Sequence, residues 1–499
     1  MLKEGMNIMI LLLLLFLAIT HFSNADEPFD VRKHLATVTR YADSKEISAN
    51  SLVSSEIPDQ CTSIHLNLVA RHGTRAPTKK KIRELEALDA HLEVLVRDAK
   101  GHKQSLEKIP AWLAGWRSPW KGKVTGGELI AEGEDELYHL GIRVRERFPD
   151  LFNEEYHPDV YSIKTTQVPR ASASAVAFAM GLFNERGKLG PGRHRAFAVT
   201  SESRASDIVL RFHDCCQSYK AFRKSQEPNV DKLKEPLLNE ITRELVRQYG
   251  LNFTNQDVSS LWFLCKQEAS LLNITNQACS LFSPSEVSLL EWADDLELFI
   301  LKGYGDTLNY RMGVPLLEDV VQSMELAIKA KEEGYAPGIY EKARMRFAHA
   351  ETLLPFSCLI GLFLEESEFE LIQREESLEL PPKPPKNRNW RGSIVAPFAG
   401  NNMLILYSCQ LDNSSKYFVQ VLHNERPIAL PGCNGLSFCP FEVFKEKIVV
   451  PHLKHDYNML CDVIEQKQKD SASSKLSQIL GWFWSQRNAG SLLAQKDSL

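Results

Sequence analysis

Three times along this chain a short run with strand periodicity leads into a loop of chemically unusual residues and then into a helical run. That recurrence limits the fold more than any other feature. The first unit is Ser63 to Ala70, where Ile64, Leu66 and Leu68 alternate as on a half-buried strand, followed by Arg71-His72-Gly73-Thr74-Arg75-Ala76-Pro77-Thr78. The second runs from Val160 to Thr166 and passes through Pro169-Arg170 into the small-residue helix Ala171 to Phe183. The third runs from Met345 to Ala348 and passes through His349-Ala350-Glu351 into the apolar run Leu353 to Leu364, with Pro355 near its start, where a helix tolerates proline. Units of this kind build α/β sheets whose ligands gather beyond the carboxyl ends of the strands. All three loops are therefore expected to face one crevice.

Between these units the periodicity is helical. Leu317 to Glu333 carries Val320, Val321, Met324, Ala327 and Ile328 at helical spacing. Asp207 to Phe222 and Glu240 to Tyr249 also read as helices, the latter stopped by Gly250. The 499 residues are enough for more than one structural unit. Segments 84–155 and 208–335 are read as insertions forming a smaller, mostly α-helical domain beside the α/β sheet, with 336–470 returning to the sheet domain. Strands are expected at Ile394 to Pro397, Met403 to Cys409 and Tyr417 to Leu422, and Pro381 to Pro385 as a surface loop. In 471–499, Leu476, Ile479, Leu480 and Phe483 mark one face of a C-terminal helix that packs on the body.

The chemistry concentrates in the three loops. Arg71 and Arg75 flank His72, and Gly73 permits close backbone approach. Forked guanidinium donors match the oxygens of a phosphate group. A chance match to this combination of Arg, His, Gly, Arg and Pro is roughly one in ten thousand on average composition. Neighbouring arginines disfavour protonation of His72, so its imidazole is expected to stay neutral, and nucleophilic, in acid. Lys79, Lys80, Lys81 and Arg83 follow directly. With a net charge of -5, a chain that binds a polyanion must concentrate positive charge locally, and this run supplies it at the mouth of the crevice. The same acidic balance argues against a nucleic-acid partner.

Arg71 to Pro77 resembles the R-H-G-x-R-x-P signature of the histidine acid phosphatases. His349-Ala350-Glu351 followed by Thr352-Leu353-Leu354-Pro355 is similar to the branch that cleaves multiple inositol polyphosphates, where other acid phosphatases and many phytases carry His-Asp. Gly126-Gly127-Glu128-Leu129, Leu140-Gly141-Ile142-Arg143 and Ser203-Arg204-Ala205-Ser206 look like the same branch, and the resemblance spans Cys61 to about Cys461. It implies a histidine phosphatase-like sheet flanked by helices, with His72 as nucleophile and Glu351 as general acid. A carboxyl among substrate phosphates is expected to have a raised pKa. Arg71, Arg75, Arg170 and His349 would bind phosphate, with Thr78, Lys79 and Lys80 beside them. It implies a monomer acting on phytate and lower inositol phosphates, with no metal and no cofactor. The alternatives are a broad-specificity or bisphosphoglycerate phosphatase, and a non-catalytic polyanion-binding relative.

The compartment is legible separately. Lys3, the apolar run Ile8 to Ile19 and the small residues Ser23-Asn24-Ala25 read as a signal peptide over 1–25, leaving no membrane contact after cleavage. Ten cysteines suit an oxidising compartment. Cys433 with Cys439, Cys265 with Cys279, and Cys61 with Cys358 are the candidate bridges, while the partners of Cys215 and Cys216 stay open. Sequons at Asn252, Asn273 and Asn413 agree with the secretory pathway. Lys496-Asp497-Ser498-Leu499 is similar to the K-D-E-L retrieval signal, so secreted, vacuolar and endoplasmic reticulum destinations are all open.

Overall fold

The computed structural model describes residues 28–47, 57–101, 107–336, 338–376, 378, 388–410 and 416–461. The signal peptide, Asn413, the proline loop at 381–385, and the C-terminal helix and tail lie outside the described residues. Among those described, no helix is long and apolar enough to cross a membrane.

A seven-stranded mixed sheet is the frame, in the order β2-β3-β1-β4-β5-β6, with β7 also pairing to β5. The strands are β1 (Cys61–Arg71), β2 (Tyr161–Thr165), β3 (Ala343–Ala348), β4 (Asn401–Cys409), β5 (Tyr417–His423), β6 (Arg426–Pro427) and β7 (Phe438–Pro440). The three strands preceding the unusual loops are mutually parallel: β1 lies beside β3, and β3 beside β2. Register puts Arg71 opposite Ala348 and Thr165 opposite Phe347. All three loops therefore leave the sheet at one level.

Alternation along the strands sorts side chains to two faces. Leu66, Leu68, Ala70, Met345 and Phe347 join Leu137, Leu140 and Phe178 in one core cluster. These last belong to α2 (Ala131–Arg147) and α3 (Pro169–Leu182), so this part of 84–155 packs on the sheet. Val69, Leu404, Leu406, Val419 and Val421 join the other face, under α7 (Val314–Glu332) and α8 (Ala350–Leu359). A separate helical core unites α1 (Lys79–Gly101), α5 (Asn255–Gln267), the end of α4 (Gln217–Tyr249) and the first half of α6 (Pro284–Lys302).

Several local expectations are corrected. Asp207 to Phe222 is not one helix: a short turn of helix at Phe212–Cys215 precedes α4, and Glu240 to Tyr249 is the end of that single long helix. Gly250 closes it in the left-handed region with φ 68°. Ile394 to Pro397 is not a strand. Gly392–Val395 is a helical turn because the Gly392 amide donates to Asp295 Oδ1 at 2.7 Å and the Ser393 hydroxyl to Glu291 Oε1 at 2.7 Å. The helix after His349 begins at Ala350 and ends at Leu359, earlier at both ends than Leu353 to Leu364.

Cysteine pairing is half as expected. Cys265–Cys279 and Cys433–Cys439 are bridged. Cys61 is bonded to Cys409, its register partner on β4, and not to Cys358, which is buried and free on α8. Cys216 pairs with Cys461, leaving Cys215 free. Both Asn252 and Asn273 are exposed. Burial pushes the Cys358 thiol well up, and that of half-buried Cys215 up as well. Alkylation of the native protein should therefore be slow and label Cys215 alone, with Cys358 reacting only after unfolding. Mass spectrometry of labelled peptides checks this, and native labelling of Cys61 or Cys409 would refute the pairing.

Candidate active site

The parallel register assembles the site. The His72 amide donates to the Ala348 carbonyl at 3.0 Å, and the Thr166 amide to the Phe347 carbonyl at 3.1 Å. The rings of His72 and His349 stand 5.5 Å apart, edge to face. The sheet thus brings together His72, Thr166 and His349 from separate parts of the sequence.

The His72 loop is held from below by close packing. Gly73 and Gly133 meet backbone to backbone, leaving no space for a Cβ on either. The Gly73 amide donates to Ser174 Oγ at 3.1 Å. Glu136 accepts from the Thr74 amide at 2.8 Å and the Thr74 hydroxyl at 2.9 Å, and from the Tyr41 amide at 3.2 Å. The Ala76 amide donates to the Glu128 carbonyl and the Gly127 amide to the Pro77 carbonyl, both at 2.9 Å.

His72 is buried, with Nδ1 2.9 Å from the Gly73 carbonyl. Donation from Nδ1–H to that oxygen leaves Nε2 with its lone pair free. Burial holds this imidazole well below its ordinary pKa, helped by Arg71, His349, Arg170 and Arg75. The sequence anticipated the direction and the arginines; the largest cause is burial. His349 is depressed in the same way, by burial and then Arg170. Its Nε2 lies 3.0 Å from Arg211 Nη1 and 3.0 Å from Thr166 Oγ1, and its Nδ1 lies 3.4 Å from Arg170 Nη2.

The guanidiniums of Arg71, Arg75, Arg170 and Arg211 gather around these rings. Each has a buried Nε with no hydrogen-bond partner. Four guanidinium charges gathered around two imidazoles favour an anion with several oxygens, which their forked donors match. Arg71 is anchored by Nη1 to the carbonyls of Thr37 and, at 2.8 Å, Ala396, and stacks 4.4 Å over the Phe398 ring. Arg211 also pairs with Asp214.

Glu351 stands in the first turn of α8. Its charge acts on all four arginines. Its side chain, 32% exposed, is ion-paired to Lys302 at 2.8 Å. The expected rise in its pKa is not found in the free site. Lys302 holds the carboxyl well below the usual range, burial opposes this, and His213 adds to the lowering.

Lys79 and Lys80 are exposed on the first turn of α1, next to half-buried Thr78. Lys81 pairs with Glu84 at 2.7 Å. Lys80 and Lys81 line a groove of about 850 Å³ in which Arg223, Lys234 and Lys266 alternate with acids such as Glu84, Glu227 and Asp294. Arg211, Lys302 and Thr166 escaped the sequence reading. Arg211 sits close to Ser203-Arg204-Ala205-Ser206, whose family likeness marked the region, but no local spacing singles it out.

A buried neutral imidazole ringed by arginines, with a carboxyl within their field, defines a phosphate-handling site at the carboxyl edge of a sheet. Residues 64–424 match the histidine phosphatase superfamily (branch 2), and the chain belongs to that family. It is 26% identical over 470 residues to multiple inositol polyphosphate phosphatase 1 of Dictyostelium discoideum, covering 84% of this chain and 71% of that protein. The human protein of the same name is 27% identical over 418 residues, covering 80% of this chain and 82% of its own. The fold matches the Bifidobacterium longum multiple inositol polyphosphate phosphatase solved with inositol hexasulfate, with TM-score 0.61 and 18% identity, over 84% of this chain and 98% of that one.

Arg170 is one of the cations depressing His72. A neutral ring is present above its pKa and lost as pH falls through it, so removing that cation moves the loss to higher pH. In Arg170→Gln the His72 ring should titrate nearer its ordinary value of about 6.5, read by NMR of ring-labelled histidine. An unchanged titration would contradict the account.

Proposed function

We propose that this protein is a phosphomonoesterase of the secretory pathway that removes phosphates from inositol polyphosphates, phytate included, through a phosphohistidine on His72. The observation that carries the reading is the buried His72 ring, held well below its ordinary pKa beside His349, Arg71, Arg170 and Arg75. His72 Nε2 attacks phosphorus and the P–O bond to the inositol carbon skeleton's oxygen breaks. Glu351, protonated, gives its proton to the departing alkoxide. In the second half, water attacks the phosphohistidine, loses a proton to Glu351, and the P–N bond breaks to release inorganic phosphate. The arginines stabilise charge on the phosphoryl group in both steps, which is the larger electrostatic share of such catalysis. No step needs a metal ion.

Glu351 must be protonated to act first, yet Lys302 favours its charged form. A substrate with several phosphates brings negative charge that competes for Lys302 and raises the carboxyl pKa. Exposed Lys79 and Lys80, a few residues after the His72 loop, add positive charge that a large polyanion would attract. Both features favour a polyphosphate over a simple ester. The two-part organisation is kept with narrower bounds: 131–147 and 314–332 pack on the sheet, and the separate helical core draws on 82–99, 113–120 and 237–296.

The deciding experiment is phosphate release from phytate across acidic to neutral pH with excess chelator, wild type beside His72→Ala. Wild-type activity that survives chelation and is lost by at least about a thousandfold in the variant is the expected result. Full activity in His72→Ala, or loss on chelation, would sink the mechanism; cleavage of simple esters without phytate would sink the substrate. A second test separates the role of Glu351. In Glu351→Gln the rate should fall by about a hundredfold or more on phytate, whose alkoxide needs a proton. On p-nitrophenyl phosphate, whose phenolate leaves unaided, formation of the phosphoenzyme should be much less affected, as single-turnover kinetics would show.

A further inference from the structure

The helix α6 carries two buried acids whose bonds lead to the phosphate site. Glu291 and Asp295 have side chains 1% and 0% exposed. Arg388 bridges them, with Nη2 2.8 Å from Glu291 Oε2 and Nε 2.8 Å from Asp295 Oδ2. From this pair two backbone segments are fixed. One is the turn Gly392–Val395, held by the Gly392 amide and the Ser393 hydroxyl, each at 2.7 Å. The other is the N-terminal segment: His34 Nδ1 lies 3.0 Å from Glu291 Oε2, and Arg391 joins Glu291 to the Lys33 carbonyl, 3.0 Å to each.

Both segments end at Arg71. The turn is followed by Ala396 and the N-terminal segment leads to Thr37, whose carbonyls accept from Arg71 Nη1. The two segments touch where a Cβ on Gly392 would come within 3.2 Å of the Thr37 nitrogen and 2.7 Å of Leu298. A guanidinium has a fixed fork, so placing one of its nitrogens fixes the direction of the donors left for a ligand.

We propose that Glu291, with Asp295, is a positioning site for Arg71: it sets the two carbonyls that aim this guanidinium at phosphate. Neither acid touches substrate. A buried acid cluster of this kind costs desolvation and is weak evidence for stability by itself, so geometry is the gain it can provide. The proposal rests on the phosphate-binding role of Arg71 and not on which ester is cleaved.

The test is equilibrium binding of inorganic phosphate to the full chain by calorimetry, which needs no turnover. Glu291→Gln should raise the Kd about tenfold, and Ser393→Ala, which keeps every charge, about threefold. Glu268→Gln is the control. Glu268 is another buried acid of the helical unit, accepting from the Ala278 amide at 3.0 Å, and its loss should lower Tm without changing the Kd. Because Glu291 acts through Arg71, in an Arg71→Lys background Glu291→Gln should add less than about twofold. An unchanged Kd in folded Glu291→Gln overturns the proposal, as does an equal rise in Glu268→Gln or full additivity with Arg71→Lys. Should Glu291→Gln not fold, an unchanged Kd in Ser393→Ala overturns it. If no variant and not the wild type binds phosphate, the functional reading itself fails, which is a separate outcome.

Discussion

Everything distinctive in this molecule follows from holding like charges together out of water. Arg71, Arg75, Arg170 and Arg211 converge on two imidazoles, and burial disfavours charge on each group there. Two guanidiniums about 6 Å apart repel by roughly 3 kcal/mol at an effective dielectric constant near 20. Such a pocket is strained by its own field until an anion enters. Its neighbours meet that cost unequally. Arg211 has Asp214, Arg71 has two backbone carbonyls and an aromatic face, and Arg75 donates to the Ala76 carbonyl at 2.8 Å. The positive charge that these contacts leave uncompensated favours an anion.

The field also decides which groups can do chemistry. An imidazole in this position is denied its proton where a solvent-exposed histidine would be charged in acid. The same surroundings would keep a carboxyl ionised. Lys302 strengthens that tendency at Glu351. An acid that is protonated only when negative charge arrives couples proton donation to occupancy of the pocket. The pocket and the acid are therefore one electrostatic unit and not two independent catalytic parts.

The sequence disclosed the parts of this design that are local. Arg71, His72 and Arg75 are adjacent in one loop, and alternation in β1 and the apolar run after Glu351 placed their loops on a sheet. The parallel order of β2, β3 and β1 then made the meeting of His72, Arg170 and His349 a consequence of topology. What stayed hidden depends on contacts across long separations. Arg211 reaches His349 across 138 residues and Lys302 reaches Glu351 across 49, with no periodicity to mark either. Ile394 to Pro397 read as a strand because its apolar residues are too few to distinguish a strand from a turn. Two carboxylates nearly a hundred residues away made the difference. Cys61 found Cys409 for a similar reason: the partner across an antiparallel ladder is set by register, and proximity to a motif carries no such information.

These hidden contacts share a physical character. Two of them start from one helix: α6 holds the Gly392–Val395 turn behind Arg71 through Glu291 and Asp295, and reaches Glu351 through Lys302 at its own last turn. One helix thus pairs directly with Glu351 and holds the turn that leads to the Ala396 carbonyl on Arg71. Apolar packing could hold that helix against the sheet, but it is non-directional and would tolerate rotation about the helix axis. Buried ion pairs with fixed hydrogen bonds do not, because a small rotation leaves a buried charge unpaired at a cost of about 3–5 kcal/mol. Placing the acids on α6 therefore fixes its rotation, and with it the direction in which Lys302 points.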